Sequence, residues 1–474
     1  MKELTLEEIA SFSNGVVNHD QYPCAIRSIS TDTRKLGKGS LFVALEGERF
    51  DGHDYVIDAL ASGASAAMVS KKAHFDDDQD LPLIRVEDTL IGLQELARSY
   101  RDLLIVRGIA VTGSNGKTST KDIIKSVLSQ SYSVSATEGN YNNHIGLPLT
   151  LLETRETDAF GVWEMGMSNP GEIGLLAGIA QPDIGIITNI GVAHIENMGS
   201  QDSIAQEKGD LVERVSSNGY VVLNAEDEYS VSIAQRTSAE TIMVGFDYGD
   251  VRADIISDDG FSTRFKLNGE GCNEEICLPF PGRHMVLNSL MAIAVGLREG
   301  MSVDVIKRGL LKTELSSGRL QIKDINKVTY IDDTYNANPD SVIAALECLK
   351  NVKSKGRKFA VLGEMAELGE DVERYHMGVG KEAADIGIEY IISVGESAKP
   401  LNRGAVAGGA KKAIHIDSHQ NCAQFLESEL QAGDVVLIKG SRSSAMENVL
   451  TIIELSLIHI SEPTRLRRIS YAVL

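Results

Sequence analysis

The sequence offers little that would tie it to a membrane, a nucleic acid or an oxidising compartment. Its five cysteines (Cys24, Cys272, Cys277, Cys348, Cys422) are scattered with no CxxC pair, which excludes a disulfide framework or a zinc finger and fits a reducing cytosol. No apolar run approaches the roughly 18 residues of a membrane-spanning helix, because Gly or a charge breaks each one. The opening MKELTLEEIASF lacks a basic region followed by an apolar one, so it is not read as a signal peptide, and a cytoplasmic location is expected. Positive charge is scarce too: 46 Lys and Arg against 67 Asp and Glu leave a net −21, a field that repels nucleic-acid phosphates and anionic lipid. No nucleic-acid or membrane partner is expected, and the chain is read as a monomer without repeats or low-complexity tracts.

What remains is an ordinary globular composition, 43% apolar and 24% charged over 474 residues, long enough for about three domains. The fold class expected is α/β throughout. Residues 1–105 mix short strands with helical stretches at 53–69 and 89–104. Residues 106–318 hold near-continuous apolar strands (FGVWEMG, DIGIITNIG, GYVVLNAED) between helices, the pattern of a parallel sheet covered on both faces. Within that span 252–280 reads as an antiparallel insertion and 282–300 as a long helix. Residues 319–454 alternate strand and helix about every 25 residues, a doubly wound, Rossmann-like domain. From 455 to 474 the chain reads LSLIHISEPTRLRRISYAVL, with three arginines and no continuing period, and is read as a non-native tail foreign to the fold.

Between the first central strand and its helix stands Thr112-Gly113-Ser114-Asn115-Gly116-Lys117-Thr118-Ser119. Glycines there let backbone N–H groups turn towards an anion at a helix N-terminus, Lys117 can reach outer phosphates and Thr118 a magnesium ion. Val111 stands where the strict P-loop pattern has Gly, so a plain glycine-rich turn is the competing reading. Glu164 closes the next apolar strand, at the sheet edge where ligands bind, and can share a magnesium with Thr118 or be a surface loop residue. His194 follows another strand and can ligate a metal or merely fill a loop. Lys208, among acids in IAQEKGDL, reads by itself as a solvated helix cation. The run Ile331-Asp332-Asp333-Thr334-Tyr335-Asn336-Ala337-Asn338-Pro339 is a polar cluster at another strand's carboxyl edge. Asp333 there can accept ribose hydroxyls, against plain turn and N-cap duty.

Taken in order, TGSNGKTST, EMGMSNPGEIG, TNIGVAHIENMGS, GRHMVLNSLMAIA and SSGRLQ resemble the signature series of the ATP-dependent Mur ligases of peptidoglycan synthesis, over about residues 1–454. STDTRKLGKGSLFVALEGERFDGHDYVIDAL, GNYNNHIGLPLTLL, IDDTYNANPDS, VLGEMAELGE and KGSRSSAMENV resemble the branch that adds D-alanyl-D-alanine to UDP-N-acetylmuramoyl-tripeptide. The resemblance implies a UDP-substrate domain, a central ATPase domain and a C-terminal ligase domain, and amide formation through an acyl phosphate. It implies that Gly113, Ser114, Asn115, Gly116, Lys117, Thr118 and Ser119 cradle the ATP phosphates. Thr118 and Glu164 would hold one magnesium, and His194 a second with Lys208 carried as a carbamate. Asn288 would lie on the adenine side, with Arg319 on the nucleotide and Asp333 on the ribose. Ser30, Thr31, Asp32 and Arg34 would hold the UDP end, Asn140, Asn142 and Asn143 would line the muramoyl-peptide path, and Tyr335, Asn336, Asn338, Lys439 and Ser441 would face the dipeptide. Met285 departs from the family pattern, in which Asn often follows the His of GRH. Sibling amino-acid ligases, such as the one adding the third residue or a folylpolyglutamate synthase, share the central motifs, but IDDTYNANPDS argues against them. A regulatory or motor ATPase would need exposed apolar interaction surface, of which the sequence gives no sign.

Overall fold

The computed structural model describes residues 1–18, 24–47, 49–75 and 81–461. The chain divides into two compact units, one of 1–257, 262–279 and 283–316, the other of 258–261, 280–282 and 317 onwards.

The first unit carries a five-stranded sheet and a nine-stranded sheet. In the smaller one, Ser28–Ser30, Ser40–Val43, Ala66–Ser70 and Leu83–Val86 run parallel, with Val16–Val17 antiparallel at one edge. The helical stretch expected over 53–69 is cut short: the helix is Val56–Ala61, and Ala66–Ser70 is a strand. Alanine favours helix in isolation, but Ala66, Ala67, Met68 and Val69 are all buried between covering layers, and packing overrides propensity.

The larger sheet runs in space Cys272–Leu278, Thr263–Gly269, Val251–Asp258, Glu240–Gly245, Tyr220–Asn224, Ile184–Ile187, Arg107–Thr112, Phe160–Glu164 and Val134–Ala136. The segment expected as an antiparallel insertion thus continues the central sheet. Residues 1–105 and most of the central residues fall in one compact unit. Helix Thr89–Leu103 shares one buried cluster with both, through Leu93, Leu96 and Tyr100 on its side and Trp163, Leu176 and Ala177 on the other. Arg101 adds a bond to Asp183 at 3.0 Å and lies 5.3 Å from the Trp163 ring.

In the second unit a six-stranded sheet runs Gln321–Ile325, Val328–Asp333, Val435–Lys439, Lys358–Leu362, Tyr390–Val394 and Lys412–Ile416. All are parallel except the first, an edge strand with no counterpart in the sequence reading, as is helix Lys399–Ala407. The last helix runs Glu447–Ser461, so it continues through 455–461, inside the segment read as foreign; residues 462–474 lie outside the described residues.

Candidate active site

Strand Arg107–Thr112, buried over its last five residues, delivers Gly113–Gly116 to the sheet's carboxyl edge, where helix Lys117–Leu128 begins. Gly116 has φ +83°, and a Cβ there would lie 2.7 Å from Asn288 Oδ1, so Asn288, itself buried, rests directly on the loop. Met285 is buried on the same helix, and its sulfur accepts from Asn288 Nδ2 at 3.7 Å. No side chain caps helix Lys117–Leu128, leaving the positive end of its dipole to an anion. Lys117 Nζ bends back to Gly113 O at 2.8 Å.

The residues after strand Ile184–Ile187 clamp this loop, a role that the run TNIG does not announce in the sequence. Asn189 Oδ1 accepts from Asn115 N at 2.9 Å, Asn189 Nδ2 donates to Asn115 O at 3.0 Å, and Ser114 Oγ accepts from Gly191 N at 2.8 Å. Two amide groups bonded reciprocally across neighbouring strand ends hold the glycine loop in one shape.

Glu164 pairs in register with Val111, two residues before Gly113, and is 2% exposed. Its Oε1 accepts from Asn142 Nδ2 at 2.8 Å, while its Oε2 is buried with no hydrogen-bond partner among the described residues. A buried carboxylate oxygen left over beside the hydroxyl-bearing Thr118 helix start is the hard oxygen donor that magnesium takes, so the residues present fit that ion. The Asn142 amide is thus tied to the carboxylate through its Nδ2. Asn143 Oδ1 accepts from Ile145 N and Gly146 N, which spends it on the start of helix Gly146–Glu153. Asn140 is exposed.

Lys208 is not a solvated cation. It lies on the buried face of helix Gln201–Glu213 with Ile204, Ala205, Leu211 and Val212, 1% exposed, and its Nζ has no bonded partner among the described residues. Burial first, and the charge of Lys117 second, hold its amine well below the usual lysine range. The spacing 204, 208, 211 was legible in the sequence as an apolar face with a lysine on it. Its neighbour Glu207 accepts from Gly171 N and Ile173 N and so caps helix Glu172–Ala180. His194 adopts φ +64° immediately before the short helix Ile195–Met198.

In the N-terminal segment Ser30 Oγ bonds both the N–H and the carbonyl of Asp32, and Asp32 takes Arg34 in a two-point pair at 2.9 and 2.8 Å. That guanidinium and the Arg34 N–H pull the Asp32 carboxyl down to about 2. Thr31 is half-buried beside this turn.

The second unit gathers its own cluster. Lys439 Nζ donates to Asp333 Oδ2 at 2.6 Å and to Asn336 O at 2.9 Å, and is 3% exposed. Arg319 lies over the Tyr335 ring at 4.3 Å. Asn338 Oδ1 caps helix Pro339–Asn351 through Ser341 N, and Ser441 Oγ bonds Ser443 Oγ at 3.0 Å. All five residues expected to face a dipeptide have such contacts, Asn336 Oδ1 accepting from Ala337 N at 2.9 Å.

A glycine loop at the head of a parallel strand, an uncapped helix behind it and a buried carboxylate one strand over define a phosphate-binding α/β protein. Family models described as Mur ligase family, catalytic domain, Mur ligase middle domain, and Mur ligase, glutamate ligase domain match residues 25–101, 111–296 and 318–442 respectively, and the chain belongs to the Mur ligase family. A UDP-N-acetylmuramoyl-tripeptide–D-alanyl-D-alanine ligase of Bacillus subtilis (strain 168) is 35% identical over 453 residues, covering 95% of this chain and 98% of the relative. Among solved structures, MurF from Acinetobacter baumannii superposes with TM-score 0.88 at 31% identity, covering 96% of this chain and 99% of that one. MurF ligase from Thermotoga maritima in complex with ADP gives 0.81 at 30% identity, covering 92% and 99%.

Proposed function

We propose that this chain joins the amine of D-alanyl-D-alanine to the terminal carboxylate of UDP-N-acetylmuramoyl-tripeptide, converting ATP to ADP and phosphate. The substrate reading rests on the likeness to relatives of that name over nearly the full length, outer sheets included. The chemistry rests on one observation: the orphaned, buried Oε2 of Glu164 beside the glycine loop.

A carboxylate is a poor acyl donor, and phosphorylation supplies its leaving group. The tripeptide carboxylate attacks the γ-phosphorus, ADP leaves, and the dipeptide amine then attacks the acyl phosphate, releasing phosphate and a proton. Backbone N–H groups at the start of helix Lys117–Leu128 bind the phosphates, those of Ser114 and Asn115 being donated to Asn189, and Lys117 exchanges its bond to Gly113 O for a phosphate oxygen. Thr118 and Glu164 would hold magnesium, which when bound offsets the negative charge of phosphate and carboxylate brought together. Burial lowers the proton affinity of Lys208 and so favours the amine that adds carbon dioxide, and a carbamate there would turn a buried cation into an anionic donor. Asn288 takes the adenine side, while Arg319 and Asp333 take the rest of the nucleoside. Ser30, Thr31, Asp32 and Arg34 take the UDP end. The nucleotide substrates suit a cytoplasmic enzyme.

The test is phosphate release by the full chain with ATP, magnesium and the UDP-linked tripeptide, with and without D-alanyl-D-alanine. Release that requires the dipeptide and yields a pentapeptide product is expected. ATP turnover indifferent to both substrates, or dependent on a single amino acid, would overturn the reading.

A further inference from the structure

The motif VLGEMAELGE has no part in the chemistry above, yet its first residues stand at the carboxyl edge of the second unit's sheet. Strand Lys358–Leu362 lies beside Val435–Lys439, which lies beside Val328–Asp333. Past the strand ends the pairing continues: Gly363 N donates to Lys439 O and Ser441 N donates to Glu364 O, both at 2.8 Å. Glu364 therefore sits on one side of Lys439 and Asp333 on the other. Beneath the loop, His376 is fully buried; its Nε2 accepts from Met365 N at 2.9 Å and its Nδ1 faces Val372 O at 2.7 Å, so the loop cannot drift from the strand ends.

Two of the carboxylates at this edge have a cation paired to them. Asp333 is matched by Lys439, and Asp332 by Lys323 at 3.3 Å and by the Thr334 hydroxyl at 2.7 Å. Glu364 is half-buried, and its carboxylate has neither hydrogen bond nor ion pair among the described residues. A carboxylate held on a fixed loop with no cation paired to it can take a charge-assisted hydrogen bond from a ligand. The incoming dipeptide arrives as an ammonium, and Lys439, Asn338 and Ser441 offer it no free anion.

We propose that Glu364 receives the ammonium group of the acceptor amine, holding its nitrogen at the sheet edge beside the Asp333–Lys439 pair. This rests on the dipeptide-ligase reading above and names the residue that recognises its nucleophile.

The test uses Glu364→Gln and Glu364→Asp in the full chain, with phosphate release followed against D-alanyl-D-alanine. Loss of a charge-assisted contact should raise the dipeptide KM in Glu364→Gln by about tenfold or more, leaving the KM values for ATP and tripeptide within about twofold, while Glu364→Asp recovers most of the loss. N-acetylated dipeptide, which has no ammonium, should inhibit wild type and Glu364→Gln equally. An unchanged dipeptide KM, or a parallel loss of affinity for the acetylated dipeptide, would overturn the proposal. If wild type releases phosphate only with some other amine, the dipeptide assignment falls, and the same comparison on that amine's KM decides Glu364 separately.

Discussion

Replacing Asn142 with Ala separates two roles for one side chain. In the structure its Nδ2 donates to Glu164 Oε1 at 2.8 Å, and Gly166 N donates to its carbonyl, also at 2.8 Å, so the amide is held from the backbone outward. A Cβ on Gly166 would approach the Asn142 amide to 3.0 Å, which shows how closely the loop is packed around it. Removing the amide deletes a hydrogen bond to a charged acceptor, worth about 1.5–3 kcal/mol, and leaves the carboxylate free to rotate. The oxygen aimed at the metal would no longer be selected, and changes of this kind typically weaken metal affinity by about 10- to 100-fold. Calorimetric titration of magnesium, or manganese with detection by paramagnetic resonance, in the presence of a non-hydrolysable ATP analogue should show that loss, with the tripeptide KM moving by no more than about twofold. Unchanged metal affinity together with a raised tripeptide KM would refute the reasoning and return Asn142 to the muramoyl-peptide path.

Gly116→Ala forces an L side chain into φ +83° and against Asn288, a strain of about 1–2 kcal/mol before any clash; affinity for an ATP analogue should fall about tenfold, measured by calorimetry, and unchanged affinity would contradict the loop geometry. Lys208→Ala should cut phosphate release by about two orders of magnitude or more and recover in part with added acetate, which can replace the lost anion in the space vacated; a folded variant that acetate never rescues would count against the carbamate. Burial holds the His376 imidazole below its unfolded value of about 6.5, so the unfolded chain takes up the proton first as pH falls. Its contribution to stability is whole above about pH 6.5 and is lost as pH drops through the folded value; urea midpoints should decline more steeply between about pH 7 and 5 for wild type than for His376→Leu, and equal slopes would sink the assignment.

Strong local signals survived folding unchanged. Apolar runs such as GIAVT, VWE and VVLIK are long enough to be buried on both sides and became central parallel strands. The glycines at 113 and 116 marked a turn that only residues free of Cβ constraints make easily, and it stands between strand Arg107–Thr112 and helix Lys117–Leu128. Weaker signals failed for identifiable reasons. Gln321–Ile325 alternates half-buried and exposed at a sheet edge, too short and polar to stand out, and Ala66–Ser70 has helix-favouring residues that the layers around it hold extended.

By itself the sequence determined the α/β class, the glycine loop, the order of the motifs and hence the family resemblance, because each depends on residues close together in the chain. Only the tertiary structure decided which polar groups are already spent and which are left over. Asn142 is bound to Glu164, Asn143 and Asn338 to helix starts and Lys439 to Asp333, whereas Glu164 Oε2, the Lys208 amine and the Glu364 carboxylate have no hydrogen-bond partner among the described residues. Hydrogen-bond satisfaction is settled by groups far apart in sequence, 106 residues in the case of Lys439 and Asp333, and burial raises the cost of whatever stays unpaired.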